Sequence, residues 1–161
     1  MKRIPIAFLV LVSLNILSAC QKPDSLDPFR HFTRERNQIV VISDIHLGAD
    51  LAYAECSDNL PYLEEFLNRV RFSGNVKELV IAGDLLDEWF VPANIDTYQG
   101  KDQADFVRRI AAANKGVIDV LKKIIREKRI LVTYVPGNHD LTISQASVEL
   151  ILPGINQARD P

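Results

Sequence analysis

Cysteine is scarce in this chain of 161 residues, which contains only Cys20 and Cys56. Two cysteines cannot build a framework of disulfides, and no motif beside Cys56 indicates a catalytic thiol. An excess of charge of one sign is lacking too, because 19 Lys and Arg residues face 21 Asp and Glu residues and the formal net charge is −2. The sequence therefore gives no evidence of a surface that binds nucleic acid.

Long apolar runs and repeats are also lacking. The apolar stretch of residues 4–17 is shorter than the roughly 20 residues that span a bilayer. The chain contains no internal repeat and no low-complexity tract. With 47% hydrophobic and 25% charged residues, its composition is typical of a soluble globular domain, and its length suffices for one domain with a core.

The N-terminus has the layout of a secretion signal, with Lys2 and Arg3 before the apolar stretch. The sequence Leu-Ser-Ala directly before Cys20 resembles the bacterial lipobox, which implies cleavage after Ala19 and lipidation of Cys20. We therefore expect a lipoprotein signal peptide over residues 1–19, a tether over 20–37 and a domain over 38–161. The protein would be anchored in the bacterial cell envelope, on its periplasmic or extracellular face. A plain signal peptide or a short anchor is the alternative.

From residue 38 onward, apolar runs alternate with helical patterns. Runs rich in apolar and β-branched residues predict buried strands over residues 39–43, 79–82 and 130–135. Apolar residues at helical spacing predict helices over residues 60–70, 102–126 and 144–152. This order predicts an α/β fold with a parallel sheet and right-handed crossovers.

Basic residues crowd the end of the predicted helix 102–126. They are Lys122, Lys123, Arg126, Lys128 and Arg129. The simpler interpretation is a solvated helix end whose cations complement the helix dipole. A patch that binds phosphate or lipid is the alternative.

Polar clusters follow each of the three predicted strands: Ser43-Asp44-Ile45-His46, Gly83-Asp84-Leu85-Leu86-Asp87 and Pro136-Gly137-Asn138-His139-Asp140. Because the carboxyl ends of parallel strands meet at one edge of the sheet, these clusters are expected to converge. Carboxylate and imidazole groups suit Mn, Fe or Zn ions. A pair of such ions can activate water and clamp the oxygens of a phosphoryl group. We therefore predict a site for two divalent metal ions.

The three motifs, in this order, resemble the calcineurin-like metallophosphoesterase family. The resemblance implies the family's αββα sandwich, of which this chain carries the N-terminal βαβαβ half. It also implies that Asp44 and His46 bind one metal ion, that Asp84 bridges both ions, and that Asn138 binds the second.

The resemblance also implies roles in proton transfer. His139 would protonate the leaving oxygen or stabilise its charge, and Asp140 would orient His139. Asp87 is expected to support the metal ligands from behind or to cap a helix. Trp89 and Phe90 follow the second motif, where they either line a substrate pocket or belong to the core or a lid.

The chain departs from the family pattern in its histidines, which are His31, His46 and His139. Two later segments that carry histidine in the family have no counterpart here. We expect a fragment of a longer hydrolase, although a natural short protein completed by a partner chain is the alternative. A longer product or a partner chain would supply the missing ligands.

The predicted function is metal-dependent hydrolysis of a phosphomonoester, phosphodiester or pyrophosphate bond by metal-activated water. The alternative is a catalytically incomplete envelope lipoprotein that acts as a binding or assembly module.

Overall fold

The computed structural model describes residue 29, residues 35–89, residue 94 and residues 96–159. The predicted signal peptide, Cys20, His31, Phe90 and most of the predicted tether lie outside these residues. The strands are β1 (Gln38–Ile42), β2 (Val76–Ala82), β3 (Leu131–Val135) and β4 (Asn156–Gln157). The helices are α1 (Leu60–Phe72), α2 (Gln103–Ala113), α3 (Lys115–Glu127) and α4 (Gln145–Ile151), and one 3-10 turn covers Ser57–Asn59. In the part of the chain described here, no helix is both long and apolar enough to cross a membrane.

The four strands form one parallel sheet in the order β1-β2-β3-β4. Each crossover between neighbouring strands contains at least one helix, as expected when parallel strands must be joined across the length of a sheet. The α/β class and the parallel sheet predicted from the sequence are therefore confirmed. The two-residue strand β4 was not predicted.

One face of the sheet packs against the helices. Cross-strand partners point to the same face, so Val40, Leu79 and Val132 share one row, and Ile42, Ile81 and Tyr134 share another. In these two rows, the residues on β2 and β3 are buried, and the two residues on β1 are partly buried and pack against the core. The core is completed from the helices by Leu67, Val70, Phe106, Val107, Ile110, Val117, Leu121, Ile124, Val148 and Ile151.

The opposite face of the sheet carries apolar residues that are exposed in the structure. Ile39 and Val41 on β1 are 50% and 62% exposed, and Leu131 on β3 is 52% exposed. Side-chain hydrogen bonds tie this face together, because Thr133 Oγ1 donates to Glu78 Oε1 at 2.6 Å and Asn156 Nδ2 donates to Thr133 Oγ1 at 3.1 Å. The strands therefore bury their apolar residues on one side only.

The prediction of one long helix over residues 102–126 is wrong, because α2 and α3 meet at Asn114. This residue has φ −109° and ψ 37°, outside the helical region. Its Nδ2 donates to the carbonyls of Gly48 at 2.8 Å and Ile110 at 2.9 Å. The side chain thus competes with the regular helix for backbone partners, and it also ties the helix break to the loop that follows His46.

We predict that Asn114→Ala lowers the free energy of unfolding by about 1–3 kcal/mol, because the buried carbonyl of Gly48 loses its donor. Asn68→Ala is the matched control, since Asn68 Nδ2 also donates to the carbonyl four residues earlier, at 3.0 Å, but near the surface. The control should change stability by less than about 0.5 kcal/mol. Urea denaturation followed by circular dichroism measures both. Equal effects of the two substitutions would contradict a special role for the bond to Gly48.

Candidate metal centre

The polar clusters after β1, β2 and β3 converge at one edge of the sheet. Ligand atoms of Asp44, His46 and Asp84 all lie within 4.8 Å of one another. A second group, formed by His46, Asp87 and His139, meets the same limit. The two groups share His46, and the His46 and His139 rings are 4.4 Å apart between centroids. The predicted convergence is therefore found in the structure, with one carboxylate-rich group and one imidazole-rich group side by side.

The backbone that carries these candidate ligands is strained. Asp44, His46 and Asp84 have φ values of 55°, 52° and 52°, in the left-handed region. Residues other than glycine rarely adopt this conformation, and such outliers cluster at functional sites. The Asp84 carbonyl accepts hydrogen bonds from Ile45 N at 3.0 Å and His46 N at 2.9 Å. These bonds help to hold the loop after β1 against the loop after β2.

Two glycines let the strand ends approach each other. Gly83 has φ +95° directly before Asp84, a conformation that glycine adopts without steric cost. At Gly137, a Cβ atom would lie 2.2 Å from Asp84 Oδ1 and 2.6 Å from Asp84 N. Any side chain at position 137 would therefore collide with Asp84. The backbone of the loop that follows β3 packs directly against the Asp84 carboxylate.

The donor set fits a divalent cation. His46 Nδ1 is buried and has no hydrogen-bond partner among the residues that the structure describes. A buried polar atom without a partner is unfavourable, and a metal ion would give this imidazole and the adjacent carboxylates a common partner. Asp84 is 8% exposed, whereas Asp44 is on the surface, so the group opens to solvent on the side of Asp44.

Asn138 lies at the exposed end of the third loop, between Gly137 and His139. Its backbone neighbours are fixed, because His139 N donates to Asp84 Oδ1 at 2.9 Å. The position is compatible with the predicted role as a ligand of a second ion, but that role remains a prediction.

The carboxylate beside His139 is Asp87 and not the predicted Asp140. Asp87 Oδ1 lies 3.0 Å from His139 Nδ1. Asp140 is fully buried, and its two carboxylate oxygens accept from backbone amides: Oδ1 from Gly137 N at 2.6 Å, and Oδ2 from Leu85 N at 2.9 Å and Leu86 N at 3.2 Å. The geometry therefore corrects the expected roles, since Asp87 orients the imidazole and Asp140 holds the second and third loops together.

Trp89 covers one face of the His139 ring. The two rings are stacked, with centroids 4.2 Å apart and an interplanar angle of 24°. Trp89 is itself 60% exposed, so it contacts the imidazole on one side and solvent on the other. The sequence placed Trp89 after the second motif without indicating this contact.

Glu88 was not singled out from the sequence, although it links three segments around the site. Its carboxylate accepts hydrogen bonds from the hydroxyls of Tyr98 and Thr142, and its backbone N donates to the His139 carbonyl at 3.2 Å. Tyr98 and Thr142 are 10 and 54 residues away along the chain. Contacts between residues that are so far apart in the chain cannot be predicted from a local sequence pattern.

Two buried groups near the site are held in their neutral forms. Burial raises the pKa of the Cys56 thiol, which donates to the His46 carbonyl at 3.2 Å. Burial, together with the nearby Asp140 carboxylate, raises the pKa of the Tyr134 hydroxyl. At neutral pH both groups are therefore protonated.

The family model of the calcineurin-like phosphoesterases matches residues 38–158. The chain belongs to this family. The matched segment contains all three motifs and every strand of the sheet. The structure of the nuclease MPE from Pseudomonas putida is similar, with 20% sequence identity and a TM-score of 0.43 over 76% of this chain and 48% of that one. The chain thus spans about half the length of that nuclease. No curated protein matches the chain.

We predict that Asp140→Asn destabilises the protein by about 1–3 kcal/mol or more, because an amide group would face backbone donors that now bind a carboxylate oxygen. Asp87→Asn is the matched control. It keeps an oxygen for Trp89 N, which donates to Asp87 Oδ1 at 3.0 Å, and should change stability by less than about 0.5 kcal/mol. Thermal denaturation of both variants measures the difference. A larger loss for Asp87→Asn would overturn the assignment of Asp140 as the structural carboxylate.

Proposed function

We propose that this protein is a metal-dependent phosphoesterase that hydrolyses a phosphomonoester, phosphodiester or pyrophosphate bond by metal-activated water. The observation that carries the proposal is the convergence of Asp44, His46 and Asp84 within 4.8 Å, with a buried His46 nitrogen that has no partner in the described part of the chain. Membership of the calcineurin-like phosphoesterase family supports the same chemistry.

Two divalent ions, with Mn, Fe or Zn as the candidates, fit the proposed ligands. Asp44, His46 and Asp84 would hold the first ion, and Asp84 and Asn138 would contribute to the second. Bound ions of this kind lower the pKa of water and offset the negative charge of phosphate oxygens. The chain itself holds the backbone of Asp44, His46 and Asp84 in its unusual conformation. Because these residues need not be reordered when an ion binds, the entropic cost of binding is reduced.

His139 is the proposed proton donor to the leaving oxygen. Asp87 holds its Nδ1 side at 3.0 Å, which favours the orientation in which the other ring nitrogen faces away from Asp87. Trp89 covers one face of the ring and restricts its rotation. His139 N donates to Asp84 Oδ1, and this bond supports the proposal because His139 then lies beside the carboxylate that would contribute to both metal sites.

A cavity of about 420 Å³ beside Asp44 and His46 offers room for a substrate. Its other walls include Glu55, Asn59 and Leu63. A pocket of this size accommodates a small organic ligand, and its mixed walls can contact both polar and apolar parts of a phosphate ester.

We predict that Asp84→Asn lowers metal-dependent turnover on the order of a thousandfold, because the loss of one ligand charge removes several kcal/mol of transition-state stabilisation. Asparagine tolerates the left-handed backbone and keeps an oxygen for His139 N. Asp58→Asn makes the same change at an exposed residue and should leave turnover unchanged. Hydrolysis of p-nitrophenyl phosphate, bis-p-nitrophenyl phosphate and pyrophosphate with added Mn²⁺, and after chelation, measures the effect.

The same assay separates the proposal from the alternative of a catalytically incomplete binding module. Metal uptake, measured by calorimetry, would be lost in Asp84→Asn under either function. Metal-dependent turnover by the native protein supports the enzyme, whereas metal uptake without turnover on any of the three substrates favours the binding module. Turnover that persists in Asp84→Asn would overturn the proposed site.

We also propose that the protein is an envelope lipoprotein anchored through Cys20. The support is the lipobox-like sequence before Cys20 and the basic and apolar residues that precede it. The prediction is that the native protein fractionates with membranes and that its N-terminal peptide carries acyl groups by mass spectrometry. Cys20→Ser should abolish the acylation, whereas Cys56→Ser should change neither result. An unmodified Cys20 in the native protein would exclude the proposed anchor.

A further inference from the structure

A larger cavity lies at the opposite edge of the sheet from the metal centre. It measures about 570 Å³ and is lined by the end of α3, the start of β3 and the turn at Pro153-Gly154. Leu131, at the start of β3, lines this cavity, whereas Val135, at the end of β3, precedes the loop of the metal centre. Four steps of about 3.3 Å along the strand separate these two residues by about 13 Å. The cavity is therefore distinct from the metal centre. Its volume is in the range of ligand pockets.

The walls of this cavity combine cations with apolar side chains. Lys122, Arg126 and Lys128 contribute the cations. The apolar part is formed by Ile125, Ile130, Leu131, Val132 and Pro153. A ligand that fits both parts must carry a negative charge and an apolar segment.

None of the three cations forms a close ion pair within the part of the chain that the structure describes, since its ion pairs involve other residues. Asp119 is near enough to Lys122 to interact with it electrostatically, but its carboxylate pairs with Lys115. Neighbouring basic residues do have such partners. Arg71 and Arg129 both pair with Glu127. The positive charges that line the cavity are therefore available to an anion.

The helix dipole does not account for this arrangement. Cations stabilise the last turn of a helix, but the effect falls off beyond that turn. Lys122 lies five residues before the last residue of α3, Glu127, and outside its last turn. Lys122 and Arg126 are also like charges one turn apart, which is unfavourable for the helix. The dipole gives no reason for an apolar wall beside them.

We propose that this cavity binds an anionic amphiphile, a phosphate head group on an aliphatic chain. Arg126 offers a planar fork that matches phosphate oxygens, and the two lysines add point charges. The apolar wall would remove the chain from water, which is favourable in proportion to the area buried. A free alkyl phosphate and a phospholipid head group share this chemistry. The inference does not depend on the proposed hydrolase activity.

Isothermal titration calorimetry with octyl phosphate, below its aggregation concentration, tests the proposal on the purified full chain. Inorganic phosphate lacks the chain and octyl glucoside lacks the charge, so both should bind at least about tenfold more weakly than octyl phosphate. The Lys122→Gln/Arg126→Gln variant should weaken octyl phosphate binding about tenfold or more, because each charge-assisted contact contributes on the order of tenfold in affinity.

Matched variants separate the cavity from general surface charge. Lys123→Gln removes a neighbouring exposed lysine that does not line the cavity and should leave the affinity unchanged. Leu131→Asn alters the apolar wall at a half-exposed residue, and should weaken octyl phosphate binding while inorganic phosphate is unaffected. Thermal denaturation confirms that each variant is folded.

Calorimetry with monomeric dihexanoyl phosphatidylglycerol, below its aggregation concentration, distinguishes the two sources of the ligand, because the anchor proposed at Cys20 would bind vesicles whatever the cavity does. Octyl phosphate binding accompanied by binding of this short-chain lipid, with both lost in the double variant, supports the cavity and identifies a phospholipid head group. Octyl phosphate binding without binding of the short-chain lipid supports the cavity and identifies a free amphiphile. No measurable binding of octyl phosphate, equal binding by native protein and double variant, or equal affinity for inorganic phosphate would overturn the proposal.

Discussion

Asp84 is the residue through which three strand ends are joined. Its carbonyl accepts from the backbone of Ile45 and His46, and its side chain accepts from His139 N. Gly137 packs so closely against it that no side chain fits there. The residue proposed to contribute to both metal sites thus also contacts the loops that carry the other candidate ligands. Structure and chemistry at this edge cannot be varied independently.

The strain at this edge is offset by buried polar contacts. Three non-glycine residues with positive φ cost on the order of 1–3 kcal/mol each, and such conformations persist only where surrounding contacts determine them. Asp140 supplies several of these contacts, because its carboxylate accepts from three backbone amides of two loops. A buried carboxylate is favourable only when it is fully hydrogen-bonded, and here the bonds hold together two of the loops that carry the candidate ligands.

The sequence predicted the features that depend on local pattern. Strands β1, β2 and β3, helices α1 and α4 and the convergence of Asp44, His46 and Asp84 follow from apolar periodicity and from the geometry of parallel sheets. The break at Asn114 could not be predicted in this way, because it depends on a bond to Gly48, 66 residues away. The contact with His139 was predicted for Asp140 and is made by Asp87, for a similar reason. Motif spacing places both carboxylates near His139, but only side-chain rotamers decide which one faces the ring.

The two edges of the sheet have opposite electrostatic character. At the carboxyl edge, Asp44, Asp84 and Asp87 surround the imidazoles, so a phosphate would be repelled there unless cations offset the carboxylates. At the amino edge, Lys122, Arg126 and Lys128 present positive charge directly, so an anion needs no bound metal to approach. The larger cavity is therefore not the place for metal-assisted chemistry, since it offers no carboxylate or imidazole ligand. One sheet thus separates the proposed metal site, which would need cations to attract phosphate, from the proposed anion site, which would not.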